Sequence, residues 1–317
     1  MTIKGSQNGL QKWLQKWPNG VAEMLASTFF FALMNFCIKN LQAIPTHELV
    51  FFRALGVLLL SGGMLWHLRI SAWGNHKRYL LLRGFFGTLG LGAYVWTLKQ
   101  MPLASAVTIQ YLSPIFSTLL AVWMLKETPK RVQWFCFLLS FAGVILIKGF
   151  DPRVAWLPLG AGILAAVFSA LAYNYVRRLK DHDHPLVAVF YFPVVTLVLV
   201  TPYTLSHWVM PQGKDWLYLV LIGLFTHFAQ YFLTRALQAQ KMALLSQLNY
   251  VGVVYALLMG YYLFGESVPP LAVFGLFLVV AGVVLGSWLG QQSPPPSAGN
   301  SESKPASESI SPLKGPQ

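Results

Sequence analysis

Residues 20–39 read GVAEMLASTFFFALMNFCIK, and residues 157–177 read LPLGAGILAAVFSALAYNYVR. About 20 apolar residues in a helix cover the roughly 30 Å of hydrocarbon in a bilayer, so each stretch is long enough to span one. Displaced by 139 positions, the two align without a gap: Leu25 falls on Leu164, Ala26 on Ala165, Phe29 on Phe168 and Asn35 on Asn174. The same offset carries Gly84 to Gly223, Phe86 to Phe225, Leu98 to Leu237, Ala104 to Ala243, Tyr111 to Tyr250 and Glu127 to Glu266. It also carries Ala142-Gly143-Val144 to Ala281-Gly282-Val283. Apolar matches between membrane helices are weak evidence, because such helices draw on few residue types. The Asn, Tyr and Glu matches at one constant offset identify an internal repeat.

Working outward, apolar spans are expected at about 20–39, 49–68, 79–98, 103–124 and 131–149, then at 157–177, 185–205, 216–236, 243–263 and 269–289. The chain has 317 residues, 56% of them hydrophobic and only 10% charged. A soluble domain carries charge on roughly a quarter of its residues and needs polar helix faces to meet water. The expected fold class is therefore an all-α membrane protein of ten transmembrane helices. Each unit (20–150 and 151–290) holds five spans, an odd number, so the second enters the membrane inverted. Inverted repeats are characteristic of secondary transporters, whose site lies near the midplane between the repeats.

The net charge of +13 raises nucleic acid as a partner. The distribution of the basic residues argues against it. With both termini cytoplasmic, seventeen Lys and Arg fall on that side and five (Lys39, Lys99, Lys148, Arg153 and Lys214) on the other, with Arg53 inside span two. That is the positive-inside bias of an inner-membrane protein. Residues 1–19 include a short amphipathic stretch (Leu10, Trp13, Leu14 and Trp17, with Lys12 and Lys16 beside them) suited to the membrane surface. No cleavable signal is read there. Residues 291–317, rich in Ser and Pro, are expected to form a disordered cytoplasmic tail. Cys37 and Cys136 lie within spans and suggest neither a disulfide framework nor a metal site. No cofactor is expected.

Ionisable groups inside a membrane are functional candidates by default. Arg53 is about one turn into span two, where it either snorkels to the outer interface or clamps a substrate carboxylate or phosphate with its planar fork of donors. His227 is the most deeply placed titratable residue, with Gln230 and Tyr231 on its face at i+3 and i+4. It either carries a proton or a substrate contact, or bonds neutrally between helices. Arg83 and Arg235 read as cytoplasmic anchors, and Lys39 as an anchor on the other side. No Asp or Glu lies mid-span. Glu127 and Glu266 precede spans five and ten, where helix-start stabilisation accounts for them. Gln110 and Tyr111 in span four match Asn249 and Tyr250 in span nine. The two pairs are expected to approach one cavity from opposite sides, lined by spans three, four, eight and nine with help from one and two. Tyr94, Trp96 and Tyr255 are candidate walls. Gly84, Gly87, Gly90 and Gly92 read as packing positions.

Several segments resemble the EamA-type members of the drug/metabolite transporter superfamily over about residues 20–289. They are Leu98-Lys99-Gln100-Met101-Pro102-Leu103-Ala104-Ser105-Ala106, Leu112-Ser113-Pro114-Ile115-Phe116, Leu125-Lys126-Glu127 and Ala142-Gly143-Val144. Leu263-Phe264-Gly265-Glu266 and Ala281-Gly282-Val283 repeat the theme in the second half. His47-Glu48-Leu49-Val50-Phe51-Phe52-Arg53, followed by Leu82-Arg83-Gly84, is similar to the subgroup of S-adenosylmethionine carriers and related organic-anion solute carriers. One departure stands out: Val253 occupies the place of Pro114. The resemblance implies a secondary carrier for a small zwitterionic or anionic metabolite, amino-acid-like or nucleoside-like, with a cofactor or vitamin as the alternative cargo. A non-transporting scaffold or a lipid scramblase is the competing class. No nucleophile–base set, metal-binding histidine motif or nucleotide-binding loop supports an enzyme or an ATP-driven pump.

Overall fold

The computed structural model describes residues 20–125, 134–136, 138, 139, 142, 143, 145, 146, 151–180, 182–239 and 251–291. Ten continuous helices occur among them: α1 (Val21–Asn40), α2 (Thr46–His67), α3 (Lys77–Gln100), α4 (Leu103–Gln110), α5 (Ser113–Leu125), α6 (Trp156–Arg178), α7 (Pro185–Ser206), α8 (Asp215–Ala239), α9 (Val251–Phe264) and α10 (Pro270–Gln291). Described positions between 134 and 146 are helical as well. By length and composition α1, α2, α6, α7 and α8 could each cross a membrane, while Val251–Phe264 and Pro270–Gly282 are shorter apolar helices. The amphipathic N-terminal stretch, the tail beyond 291 and most of the expected fifth span lie outside the described residues. So do Glu127, Asn249 and Tyr250.

The expected fourth span, 103–124, is broken in two. Proline has no N–H and its ring collides with the carbonyl four residues back, so Pro114 stops the helix that reaches Gln110. The last turn of α4 closes with Tyr111 N donating to Val107 O at 3.2 Å and Leu112 N to Ile109 O at 3.0 Å. Helix α5 then restarts with Phe116 N donating to Leu112 O at 3.1 Å.

The repeat is visible in the packing. Helix α3 lies chiefly against α6 and α7, α8 against α1 and α2, and α2 against α7. The 139-residue offset pairs α1 with α6, α2 with α7 and α3 with α8. The α3–α6 contact is thus the copy of α8–α1, α3–α7 is the copy of α8–α2, and α2–α7 is its own copy. A pseudo-twofold axis therefore runs between α2 and α7, and helices of the two units alternate around it.

Close crossings rest on glycine. A Cβ added to Gly56 would come within 2.5 Å of Gly223 Cα, backbone against backbone. The symmetry copy of this α2–α8 contact is Gly84 against Val195, where an added Cβ would meet Val195 Cγ2 at 2.7 Å. Gly143, in the repeated Ala-Gly-Val motif, leaves room for the backbone of Gly275, whose carbonyl oxygen would be 2.5 Å from an added Cβ.

Polar ties join the units at both ends. Glu266 does not serve the helix that follows it. Its Oε2 accepts from Leu103 N at 2.8 Å, at the start of α4, and its Oε1 pairs with Lys39 Nζ at 3.1 Å. Lys39 also donates to Met101 O at 2.7 Å. A carboxylate and an ammonium thus share one helix N-terminus, where the negative partner is favoured. At the opposite end Asp183 accepts from Asn75 N at 2.7 Å and His76 N at 3.2 Å, holding the α2–α3 loop to the α6–α7 loop.

Gly56→Val should lower the melting temperature of the detergent-solubilised protein markedly, since overpacking typically costs about 1–3 kcal/mol and backbone cannot yield as a side chain does. Gly92→Ala, where no atom lies within 4 Å of the added carbon, should leave the melting temperature nearly unchanged in the same scan.

Candidate functional site

Where the two units meet, a cavity of about 110 Å³ opens among α1, α2, α3, α4, α6, α7 and α8, with Tyr111 and Ser113 at the α4–α5 break. One water needs roughly 10–15 Å³ of such space, so the cavity has room for a small solute rather than a single water. Arg53 from α2 and Arg83 from α3 both line it, each only 4% exposed. Arg83 Nη2 donates to Gln230 Oε1 at 3.1 Å, and its guanidinium carbon lies 4.6 Å from the centre of the Phe192 ring, a cation–π distance. Arg53 has neither a hydrogen bond nor an ion pair among the described residues, and its Nε is enclosed without a partner. Among the described residues no Asp or Glu lines the cavity.

The remaining polar lining comes from both units. Tyr94 and Asn35 line the cavity from α3 and α1. Gln110 Nε2 donates to Ser169 Oγ at 2.8 Å, while Gln110 Oε1 and Asn35 Oδ1 are enclosed and unpartnered. Tyr173 completes the wall from α6. Tyr111 reaches toward α9: its Oη would lie 1.9 Å from a Cβ at Gly252, so the glycine is what admits the phenol.

Applied to the lining, the repeat offset separates scaffold from site. Arg53 is the counterpart of Phe192, Tyr94 of Leu233, Tyr173 of Met34 and Gln230 of Leu91. All eight residues face the same cavity, and each pair has one polar and one apolar member. The cavity therefore sits on the pseudo-twofold axis while its chemistry breaks the symmetry.

Of the residues expected at the site, Arg53, Tyr94, Gln110 and Tyr111 line the cavity. His227 and Tyr231 do not. His227 is buried in α8, its ring 5.6 Å from that of Phe228 and 6.4 Å from that of Tyr231. Its counterpart, Thr88, bonds Thr196 at 2.8 Å in the α3–α7 crossing, so the position belongs to a helix–helix contact. Tyr231 packs in the cluster around Leu80 and Leu186. The described part of α9 adds nothing to the lining, whereas α6 and α7, not expected there, contribute Ser169, Ala172, Tyr173 and Phe192. Neither Trp96 nor Tyr255 lines it, and Tyr255 packs edge-on against Phe29 at 6.0 Å. Arg83, read as an anchor, is a cavity residue. Arg235 is half-exposed and paired with Glu23 at 3.3 Å, as an interfacial residue would be.

The profile described as the EamA-like transporter family matches residues 18–149 and again 156–288. The chain belongs to that family. Among curated proteins, this EamA-like chain is similar to the pseudopaline exporter CntI of Pseudomonas aeruginosa, with 29% identity over 270 residues covering 84% of this chain and 95% of the exporter. It is similar also to the solute carrier family 35 member G1 of Homo sapiens, at 27% identity over 85% of this chain and 80% of that one. The S-adenosylmethionine uptake transporter of Rickettsia prowazekii is 22% identical over 84% of this chain and 92% of its own. A solved crystal structure covers 86% of this chain and 99% of its own with a TM-score of 0.66 at 18% identity, a likeness of fold. The EamA-like chain is a membrane protein of a transporter family, and its two family segments coincide with the two units of the repeat.

Gly252→Ala should displace the Tyr111 phenol and lower thermal stability. Tyr111→Phe in that background, which removes the oxygen closest to the new methyl group, should recover part of the loss. Melting curves of the two variants and wild type measure this.

Proposed function

We propose that this chain is a secondary transporter, with ten spans in two inverted five-span units and both termini on the cytoplasmic face of the inner membrane. It carries a small anionic or zwitterionic organic metabolite across by alternating access. The single observation that carries this reading is the pair of buried guanidiniums in a cavity on the axis between inverted repeats. Substrate sites of inverted-repeat carriers lie in that place, at interrupted helices, and the α4–α5 break adjoins this cavity. Arg53 is the residue assigned to the acid group. Gln110 serves the polar groups, and Tyr94 and Tyr111 form walls for the carbon skeleton. Asn249 and Tyr250 keep their proposed roles by repeat symmetry alone. His227 and Tyr231 are placed in the packing of α8 and withdrawn from direct contact with the solute.

The packing also bears on how such a carrier could move. Contacts between the units are more extensive than contacts within them: α3 rests on α6 and α7, and α8 on α1 and α2. Rocking one intact unit against the other would break the largest interfaces among the described residues. The moving bodies would instead each combine helices of both units. Access at one end would require release of the Asp183 bonds to Asn75 and His76, and at the other of the Lys39–Glu266–Leu103 tie.

The relatives named for S-adenosylmethionine and, in Vibrio cholerae, for riboflavin keep a cofactor or vitamin carrier as the second reading. Purified protein in liposomes, assayed with a labelled metabolite panel, separates these from a scaffold or scramblase. Saturable flux of a defined solute is expected. Arg53→Ala should abolish flux of an acidic solute with expression intact. Absence of any saturable flux across the panel would remove the carrier reading, and unchanged flux in Arg53→Ala would remove Arg53 from the site.

A further inference from the structure

Two cationic side chains face one buried cavity that has no acid among the described residues to answer them. Within the membrane part of a protein, arginines pair with carboxylates or backbone carbonyls or line a pathway. Each guanidinium presents five N–H donors. One donor of Arg83 meets Gln230, and none of Arg53 meets protein among the described residues. The two also lie within each other's repulsive field. Resting on the carrier reading above, we propose that the cargo is a solute with two negative charges and a hydroxyl between them, the hydroxydicarboxylates being the simplest class. One acid group is taken by Arg53 and the other by Arg83.

Three features of the lining select this class. Both arginines come from the first unit, on adjacent helices, and their opposite numbers in the second unit are Phe192 and Ile222. The two positive charges therefore have no copies in the second unit, and they stand near enough to interact, as a short-chain dianion requires. A zwitterion would place its ammonium group in a cavity without a carboxylate, beside two cations, and a net-cationic solute would fare worse. Finally, Asn35 Oδ1 and Gln110 Oε1 are enclosed acceptors without donors. A hydroxyl on the carbon chain supplies one, whereas an unsubstituted dicarboxylate leaves both unmet. Leaving a buried acceptor unsatisfied is unfavourable.

The test is competition against labelled L-malate in counterflow, using the full-length protein in liposomes. Unlabelled L-malate, succinate, L-lactate, sn-glycerol 3-phosphate and L-glutamine are the competitors. L-Malate should compete at least ten-fold better than L-lactate or L-glutamine, and better than succinate, the scale on which one charge-assisted hydrogen bond acts. Arg53→Gln and Arg83→Gln should each weaken L-malate at least ten-fold and bring it level with L-lactate. Arg83→Lys, which keeps the charge, should retain part of the preference. Size-exclusion profiles and melting temperatures of the unliganded variants report whether they fold. Competition by sn-glycerol 3-phosphate equal to L-malate would support the double charge and assign it to a phosphate monoester.

L-Lactate or L-glutamine matching L-malate in wild type would overturn the proposal. So would a full L-malate preference in folded Arg83→Gln, or chloride displacing L-malate while no organic acid does. If L-malate shows no counterflow but a zwitterionic or neutral metabolite moves saturably, the dianion proposal fails and the carrier reading stands. If nothing in the panel moves, both fail.

Discussion

Two guanidiniums buried without a carboxylate are the constraint around which this molecule is arranged. Arg53 and Arg83 each keep a charge that transfer from water strongly disfavours. The protein answers with weak partners only: the amide oxygen of Gln230, the face of Phe192 and the tyrosine hydroxyls nearby. A soluble protein would resolve such a cluster with an Asp or Glu. Here the acids are kept at helix ends and loops, where Asp183, Glu266 and Glu48 hold one unit to the other, Glu48 by accepting from Val209 N. The carboxylates therefore maintain the assembly, and the unanswered cations are left for the cavity.

The scaffold that makes this possible is the twofold repeat. Crossings such as Gly56 on Gly223 and Gly84 against Val195 fall at matching positions, the first admitting a backbone and the second a valine side chain. At the centre the copies diverge. Every counterpart pair among Arg53 and Phe192, Tyr94 and Leu233, Tyr173 and Met34, and Gln230 and Leu91 holds one polar and one apolar side chain. A cavity with strict twofold lining would present the same groups to both ends of a solute. Divergence on the axis gives it cationic, hydroxyl and apolar groups at positions with no matching copy, which is what discrimination between solutes of similar size needs.

Much of this was legible in the sequence, and the rest was hidden for definite reasons. The repeat, the helical class and the run of apolar segments follow from composition and one offset. Arg53, Tyr94, Gln110 and Tyr111 were found because polar residues deep in apolar runs have few other uses. Arg83 escaped because Lys77 and Arg78 open the same helix, and six residues is only about 9 Å of rise; a basic helix start makes Arg83 look like an anchor. His227 shows the converse error. It is deep in α8, but depth does not tell which face of the helix meets the cavity, and Gln230 and Leu233 face it while His227 does not. The break at Pro114 was visible as a residue and missed as a consequence, because an apolar run was counted as one span. The informative signal, available from the start, was a polar residue whose repeat counterpart is apolar.

That same signal bears on motion. Helices α3 and α8 are counterparts, and each packs on the first two helices of the opposite unit. Each also brings one group to the Arg83–Gln230 hydrogen bond, which crosses from unit to unit at the cavity wall. A displacement of α3 relative to α8 must stretch that bond, and the bond is the only contact that Arg83 makes to a neutral acceptor among the described residues. With one of its five donors on Gln230, the Arg83 guanidinium keeps donors for an anion while it remains tied to α8. In the proposed carrier, occupancy of the cavity and the tie between α3 and α8 would then meet at one side chain, with no need for a longer path between site and helix packing. The arginine proposed to take an acid group is thus also the one that joins two symmetry-related helices across the cavity wall.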